Sequence, residues 1–140
     1  DENGICRQTT GYTCVAASMV TMLRAHGISA DEKEMAELAY TQVNGGATDS
    51  RTLWALERKL AGTGLRAEYR ALDERGIIEA AKPFMVQLDW GFFISHMVPV
   101  MEATASQVVI GDPLNGERRV PMEEFMRKWK GMGIMLEAEE

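Results

Sequence analysis

The spacing of apolar residues switches from helical towards strand-like near Leu65, and that change limits the fold class. Before it, apolar positions recur at helical intervals. Behind Cys14, the residues Val15, Met19, Met22 and Leu23 fall at i, i+4, i+7 and i+8. This predicts a helix with one buried stripe, stopped by Gly27 in a left-handed conformation. Ser29-Ala30-Asp31-Glu32 predicts a second helix, with Ser29 as cap and Glu32 reaching back to it. Met35, Leu38 and Ala39 form its expected inner face, and Asn44-Gly45-Gly46 its end. A third helix is predicted over 49–61, with Leu53, Trp54, Leu56 and Leu60 apolar and Gly62 and Gly64 closing it.

After Leu65 the apolar runs become short and are bounded by Gly, Pro, Asp or Ser. Strands are predicted over 65–71, 84–90, 96–102, 107–111 and 132–137. Short helices are predicted over 73–81 and 122–130, the second with Pro121 suited to its first turn. Helices first and an antiparallel sheet after predict an α+β fold, a helical layer packed on a sheet with a cleft between them. Pro99 cannot donate to a ladder, so its strand is expected at an edge or bulged there. With 140 residues and no repeat or long linker, one domain over 1–140 is expected.

Charge and residue usage exclude several functions. The formal net charge is −6, and Glu123 and Glu124 sit just upstream of the cluster Arg127-Lys128-Trp129-Lys130. No concentrated basic surface is expected, so nucleic acid is not a predicted partner. Two cysteines, two histidines and the lack of CxxC or HExxH spacing predict no metal and no cofactor. No uncharged apolar run reaches the length of a membrane span. The chain begins at Asp1 rather than Met, so a trimmed piece of a longer protein is expected. A targeting segment, membrane anchor or partner domain would then lie outside it.

Four residues carry possible chemistry. Cys14 has two readings, an inert core thiol or a nucleophile. It opens the first helix, where free backbone N–H groups and the helix dipole favour thiolate over thiol. His96 is either a locally satisfied strand histidine or the general base for Cys14. His26 closes the same helix about 12 residues away at about 1.5 Å each, too far to take the proton, and reads as a C-terminal cap. Asp112 is either a turn aspartate before Pro113 or, if its strand forms a hairpin with that of His96, the residue that orients the imidazole. Gln8 is either a surface amide or a donor to an oxyanion. Cys6 reads as a packing residue, with a reversible disulfide to Cys14 as the alternative.

Taken together, Gln8-x5-Cys14 with Ala16 two positions on, the apolar strand His96-Met97-Val98, Asp112-Pro113 and the aromatic helix from Phe125 to Trp129 form an ordered set. The set resembles the bacteriocin-processing, double-glycine leader peptidases, a papain-like cysteine peptidase family. The resemblance covers roughly residues 5–137. It implies a papain-like fold, Cys14 as nucleophile, His96 as base and acid, Asp112 as orienting residue and Gln8 as oxyanion donor. It also implies a peptide or leader-peptide substrate cut after a Gly-Gly type pair. The implied setting is a soluble bacterial domain, with a membrane anchor or transporter partner outside this fragment. Two positions differ from the usual pattern. Thr13 and Val15 flank Cys14 where the family often has Asp and Gly, so Val15 is expected to narrow or redirect the cleft. Pro99 interrupts the histidine strand. A catalytically weak module that binds leader or other peptides is the alternative.

Overall fold

Strand residues in the second half of the chain are apolar at consecutive positions, and this demands cover on both faces of the sheet they form. The computed structural model describes residues 4–9, 14–39, 49–89 and 95–139, without the side chains of residues 49, 95 and 96. Six strands, β1 (Leu65–Ala71), β2 (Phe84–Asp89), β3 (Ser95–Ala103), β4 (Gln107–Asp112), β5 (Gly116–Pro121) and β6 (Trp129–Ala138), make one sheet in the order β1-β6-β2-β3-β4-β5. Every pairing is antiparallel. The α+β fold is therefore as expected.

The helical cover differs from expectation. The helices α1 (Cys14–Ala25), α2 (Glu32–Leu38) and α3 (Asp49–Leu60) lie on one face, against Met85, Met97, Ile134 and Leu136. The opposite face, carrying Phe84, Val86, Val98, Val100, Val108 and Ile110, is covered by Ile77 of α4 (Glu74–Glu79) and by Met122 and Phe125 of α5 (Met122–Lys128). A single helical layer would have left this second apolar face in water. The sheet is enclosed on both sides instead.

Helix α1 is the centre of the first layer. The predicted single stripe is replaced by burial all round, since every residue from 15 to 23 is buried. Met19, Met22 and Leu23 are fully buried, each contributing about 1.5–3 kcal/mol relative to exposure. Two buried hydroxyls resolve the polar groups this creates. Thr21 Oγ1 donates to the Ala17 carbonyl at 3.2 Å and accepts from the Cys6 N–H at 2.9 Å. Ser18 Oγ donates to the Met97 carbonyl of β3 at 2.9 Å, tying helix to sheet across 79 positions of sequence. At its end, Gly27 takes φ +81°, and the Gly27 and Ile28 amides donate to the Arg24 and Leu23 carbonyls. This is the left-handed stop that the glycine predicted.

Three local expectations change. Asp31, not Ser29, caps α2 by accepting from the Glu34 N–H at 2.8 Å, and Glu32 is engaged elsewhere. Strand β5 has no counterpart in the predicted elements. Its sequence Gly-Glu-Arg-Arg-Val-Pro is charged because an edge strand exposes much of its surface. The predicted helix over 122–130 ends at Lys128, and Trp129 and Lys130 begin β6. Trp129 packs against Phe125, with ring centroids 5.8 Å apart.

Pro99 lies in a central strand, not at an edge, and the register between β3 and β4 shifts just past it, between Val100 and Glu102. The bulge half of the expectation holds. Gly111 on β4 makes room for this proline. A Cβ there would come 2.9 Å from Ile5 Cγ1 and 3.2 Å from Pro99 Cγ. Gly111→Ala is expected to destabilise the fold by about 1–3 kcal/mol through overpacking, measured as a lower midpoint of urea unfolding. Ser18→Ala is expected to cost about 1 kcal/mol by removing the buried hydrogen bond to Met97, read in the same way.

Candidate active site

Burial and hydrogen bonding bring the starts of α1 and β3 together. Cys14 is the first residue of α1, half-buried, in no disulfide and packed at the margin of the core. One helical turn on, Ser18 bonds to Met97, the residue that follows His96. The N-terminus of the cysteine helix and the beginning of the histidine strand are thus held against each other. His96 pairs with Leu88 of β2 through its backbone, and its side chain lies outside the described residues.

Strands β3 and β4 form the hairpin that the Asp112 reading required. Val100 lies opposite Ile110, so continuing the register sets Asp112 level with Val98, two residues along the strand from His96. Asp112 ends β4 and is only 1% exposed. Its carboxylate accepts from the Leu114 N–H at 2.8 Å and from Asn115 Nδ2 at 3.1 Å, and Arg118 Nη1 lies 3.4 Å away. The turn role expected of an Asp-Pro pair is therefore present. It coexists with placement at the histidine end of the sheet.

Gln8 arrives at the same place from the far end of the chain. Its backbone N–H donates to the Pro113 carbonyl at 2.9 Å. Its side chain is half-buried, with Oε1 enclosed. On either side, Arg7 donates to the Pro113 carbonyl at 3.3 Å and to the Leu114 carbonyl. Thr9 donates to Glu32 of α2 through its N–H at 2.8 Å and its hydroxyl at 2.5 Å.

The two cysteines sit in different environments. Cys6 is buried in the core and, like Cys14, is in no disulfide. Burial pushes the Cys6 thiol above its ordinary pKa, with Arg24 acting in the opposite direction. Cys6 therefore fills the packing role. His26 Nδ1 lies 2.9 Å from the Met22 carbonyl, the helix-end role expected of it. Val15 is 7% exposed and belongs to the α1-side core, so packing takes up its bulk.

A cavity of about 300 Å³ opens on the sheet face that α1 covers, lined by Tyr69, Met85, Gln87, Met97, Met132 and Ile134. Met97 borders it and also bonds to Ser18. Met85 and Met97 are buried and also line the cavity. Arg7, Ser18 and Glu32 were not singled out as site residues, because their partners are remote in sequence. Among the described residues no group of His, Cys, Asp and Glu is placed to hold a metal ion.

The fold is shared with solved peptidase domains. The peptidase domain of Streptococcus ComA, a bi-functional ABC transporter involved in quorum sensing, superposes with a TM-score of 0.83 at 22% identity, covering 97% of this chain and 98% of that one. A double glycine motif protease from an AMS/PCAT transporter, solved in complex with a leader peptide, gives 0.81 at 19% identity, covering 96% of this chain and 90% of that one. The architecture is papain-like. In sequence, the chain is 24% identical over 131 residues to "Probable functional amyloid protease FapD" of Pseudomonas aeruginosa, a match over 91% of this chain and 58% of that protein. The model of the family described as the peptidase C39 family matches residues 2–140, so the chain belongs to that family and is a cysteine peptidase, a hydrolase of peptide bonds.

Proposed function

We propose that this peptidase works through Cys14 as nucleophile, His96 as base and acid, Asp112 as the residue that orients His96, and Gln8 as oxyanion donor, within one domain spanning residues 1–140. The observation that carries this reading is the Ser18–Met97 hydrogen bond, which holds the helix that Cys14 opens against the strand that begins beside His96. The turn at Asp112–Pro113 adds support, because the Gln8 backbone is bonded to it.

In this mechanism His96 takes the Cys14 proton as the sulfur attacks the scissile carbonyl carbon. The carbonyl π electrons move to oxygen, and the Gln8 side-chain amide and the Cys14 backbone N–H donate to the resulting oxyanion. Collapse breaks the C–N bond as His96 protonates the leaving amine. A thioester remains. Water, deprotonated by His96, attacks it, the C–S bond breaks, and the proton returns to sulfur.

The substrate in this reading is a leader peptide cut after a Gly-Gly type pair, as the double glycine motif protease among the similar structures suggests. Glycine would suit a narrow approach to the thiol, since a site that clashes with any Cβ rejects other residues. The cavity lined by Met97, Met85 and Ile134 offers apolar surface for residues preceding the pair. These two structures are peptidase domains of transporters, which supports a transporter partner or membrane anchor outside this fragment. No helix among the described residues is long and apolar enough to cross a membrane.

Cys14→Ala is expected to abolish cleavage of a Gly-Gly leader peptide while circular dichroism stays native. Retained cleavage would remove Cys14 from the mechanism. Gln8→Ala is expected to lower kcat by about a hundredfold to a thousandfold, whereas a peptide-binding module would keep its affinity and show no turnover to lose. Alkylation followed by mass spectrometry from pH 4 to 9 should label Cys14 first. Cys6, whose raised pKa leaves thiolate only at alkaline pH, should label late and serve as internal reference.

A further inference from the structure

Gln8 sits in a segment, residues 5–9, that belongs to no helix or strand. An oxyanion donor stabilises developing charge only if it is already aimed when the reaction starts. Irregular segments outside helices and strands are more mobile unless tied down. The molecule holds this one through the two residues that flank Gln8.

On one side, the Arg7 guanidinium binds two backbone carbonyls, those of Pro113 and Leu114. The same turn supplies the Leu114 N–H and the Asn115 amide that fix the Asp112 carboxylate. Arg7 therefore ties the Gln8 segment to the turn that orients Asp112. On the other side, Glu32 holds Thr9 with both carboxylate oxygens. Its position in the first turn of α2 would suit a capping box, but Asp31 caps that helix, and Glu32 reaches across to Thr9. Hydrogen bonds involving a charged partner are roughly twice as strong as neutral ones, and here they bracket Gln8 on both sides.

We propose that Arg7 and Glu32 are positioning residues that clamp Gln8 between the Asp112 turn and α2, so that its amide is held ready for the oxyanion. This inference rests on the reading of Gln8 as oxyanion donor. In this proposal both residues act on turnover through Gln8, Arg7 from the Asp112 turn and Glu32 from α2.

The test is a double-mutant cycle on kcat for a Gly-Gly leader peptide. Arg7→Ala and Glu32→Ala are each expected to lower kcat by between about tenfold and a hundredfold, the scale of a small misplacement of a catalytic group. KM should change little. Combined with Gln8→Ala, each should lower kcat less than about twofold further, because nothing is left to position. Glu32→Gln, whose single carbonyl oxygen still accepts one Thr9 bond, should recover part of the loss. Thr9→Val, an exposed change that removes only the hydroxyl bond, should reproduce part of the Glu32→Ala loss. Hydrogen exchange at the Gln8 backbone amide should quicken in Arg7→Ala and Glu32→Ala, a readout independent of turnover.

Full, additive losses in the Gln8→Ala background would overturn the clamp and leave the oxyanion role intact. So would unchanged kcat and unchanged amide exchange in the single variants. If Gln8→Ala itself leaves kcat unaltered, the oxyanion role fails, and the clamp falls with it.

Discussion

The hydroxyl of Ser18 is buried and donates to a backbone carbonyl of the sheet at 2.9 Å. Much of the site follows from that bond. A helix buried on every side has no solvent face to set its rotation, and apolar contacts tolerate small slips along the sheet. A buried hydroxyl without its acceptor costs its full desolvation, so it selects one rotation and one depth. Fixing Ser18 on Met97 fixes the first turn of α1, and with it the position of Cys14 relative to the strand that starts beside His96.

The sheet then carries that placement outward. Antiparallel pairing of β3 with β4 turns a separation of many residues into neighbouring strands. The bulge past Pro99 sets how far β4 runs beside β3, and the bare backbone of Gly111 lets the strand pass Pro99 and Ile5. At the end of that strand the Asp112 turn brings Leu114, Asn115 and Arg118 to its carboxylate and offers two carbonyls to Arg7. One short turn thus joins the local donors on Asp112 to the segment that carries Arg7 and Gln8.

What was legible in the sequence was local. The Gly27 stop, the helical spacing behind Cys14 and the short apolar runs after Leu65 report near-neighbour sterics, and each appears in the fold. The Cys14, His96, Asp112 and Gln8 pattern was legible as an ordered set of residue types. Strand β5 was not, because an edge strand with a charged surface lacks the alternation that marks half-buried strands. The burial of α1 on all sides was hidden too. Ser18 and Thr21 read as polar positions, and only their acceptors make them compatible with a core. Glu32 looked like part of a capping box because its spacing from Ser29 is right. A competing cap at Asp31 and a donor pair on Thr9 drew it away.

The sequence by itself determined most of the helical and extended segments, and which residue types are available for acyl transfer. These depend on side chains within a few positions of one another. Only the tertiary structure decided which of them meet. Ser18 finds Met97 across 79 positions, and Arg7 finds Pro113 across 106. Such pairings depend on strand order, register and the depth at which a helix settles on the sheet. Those are properties of the packed whole, set by enclosing apolar surface on both faces and by pairing buried hydroxyls such as those of Ser18 and Thr21, and no local spacing encodes them.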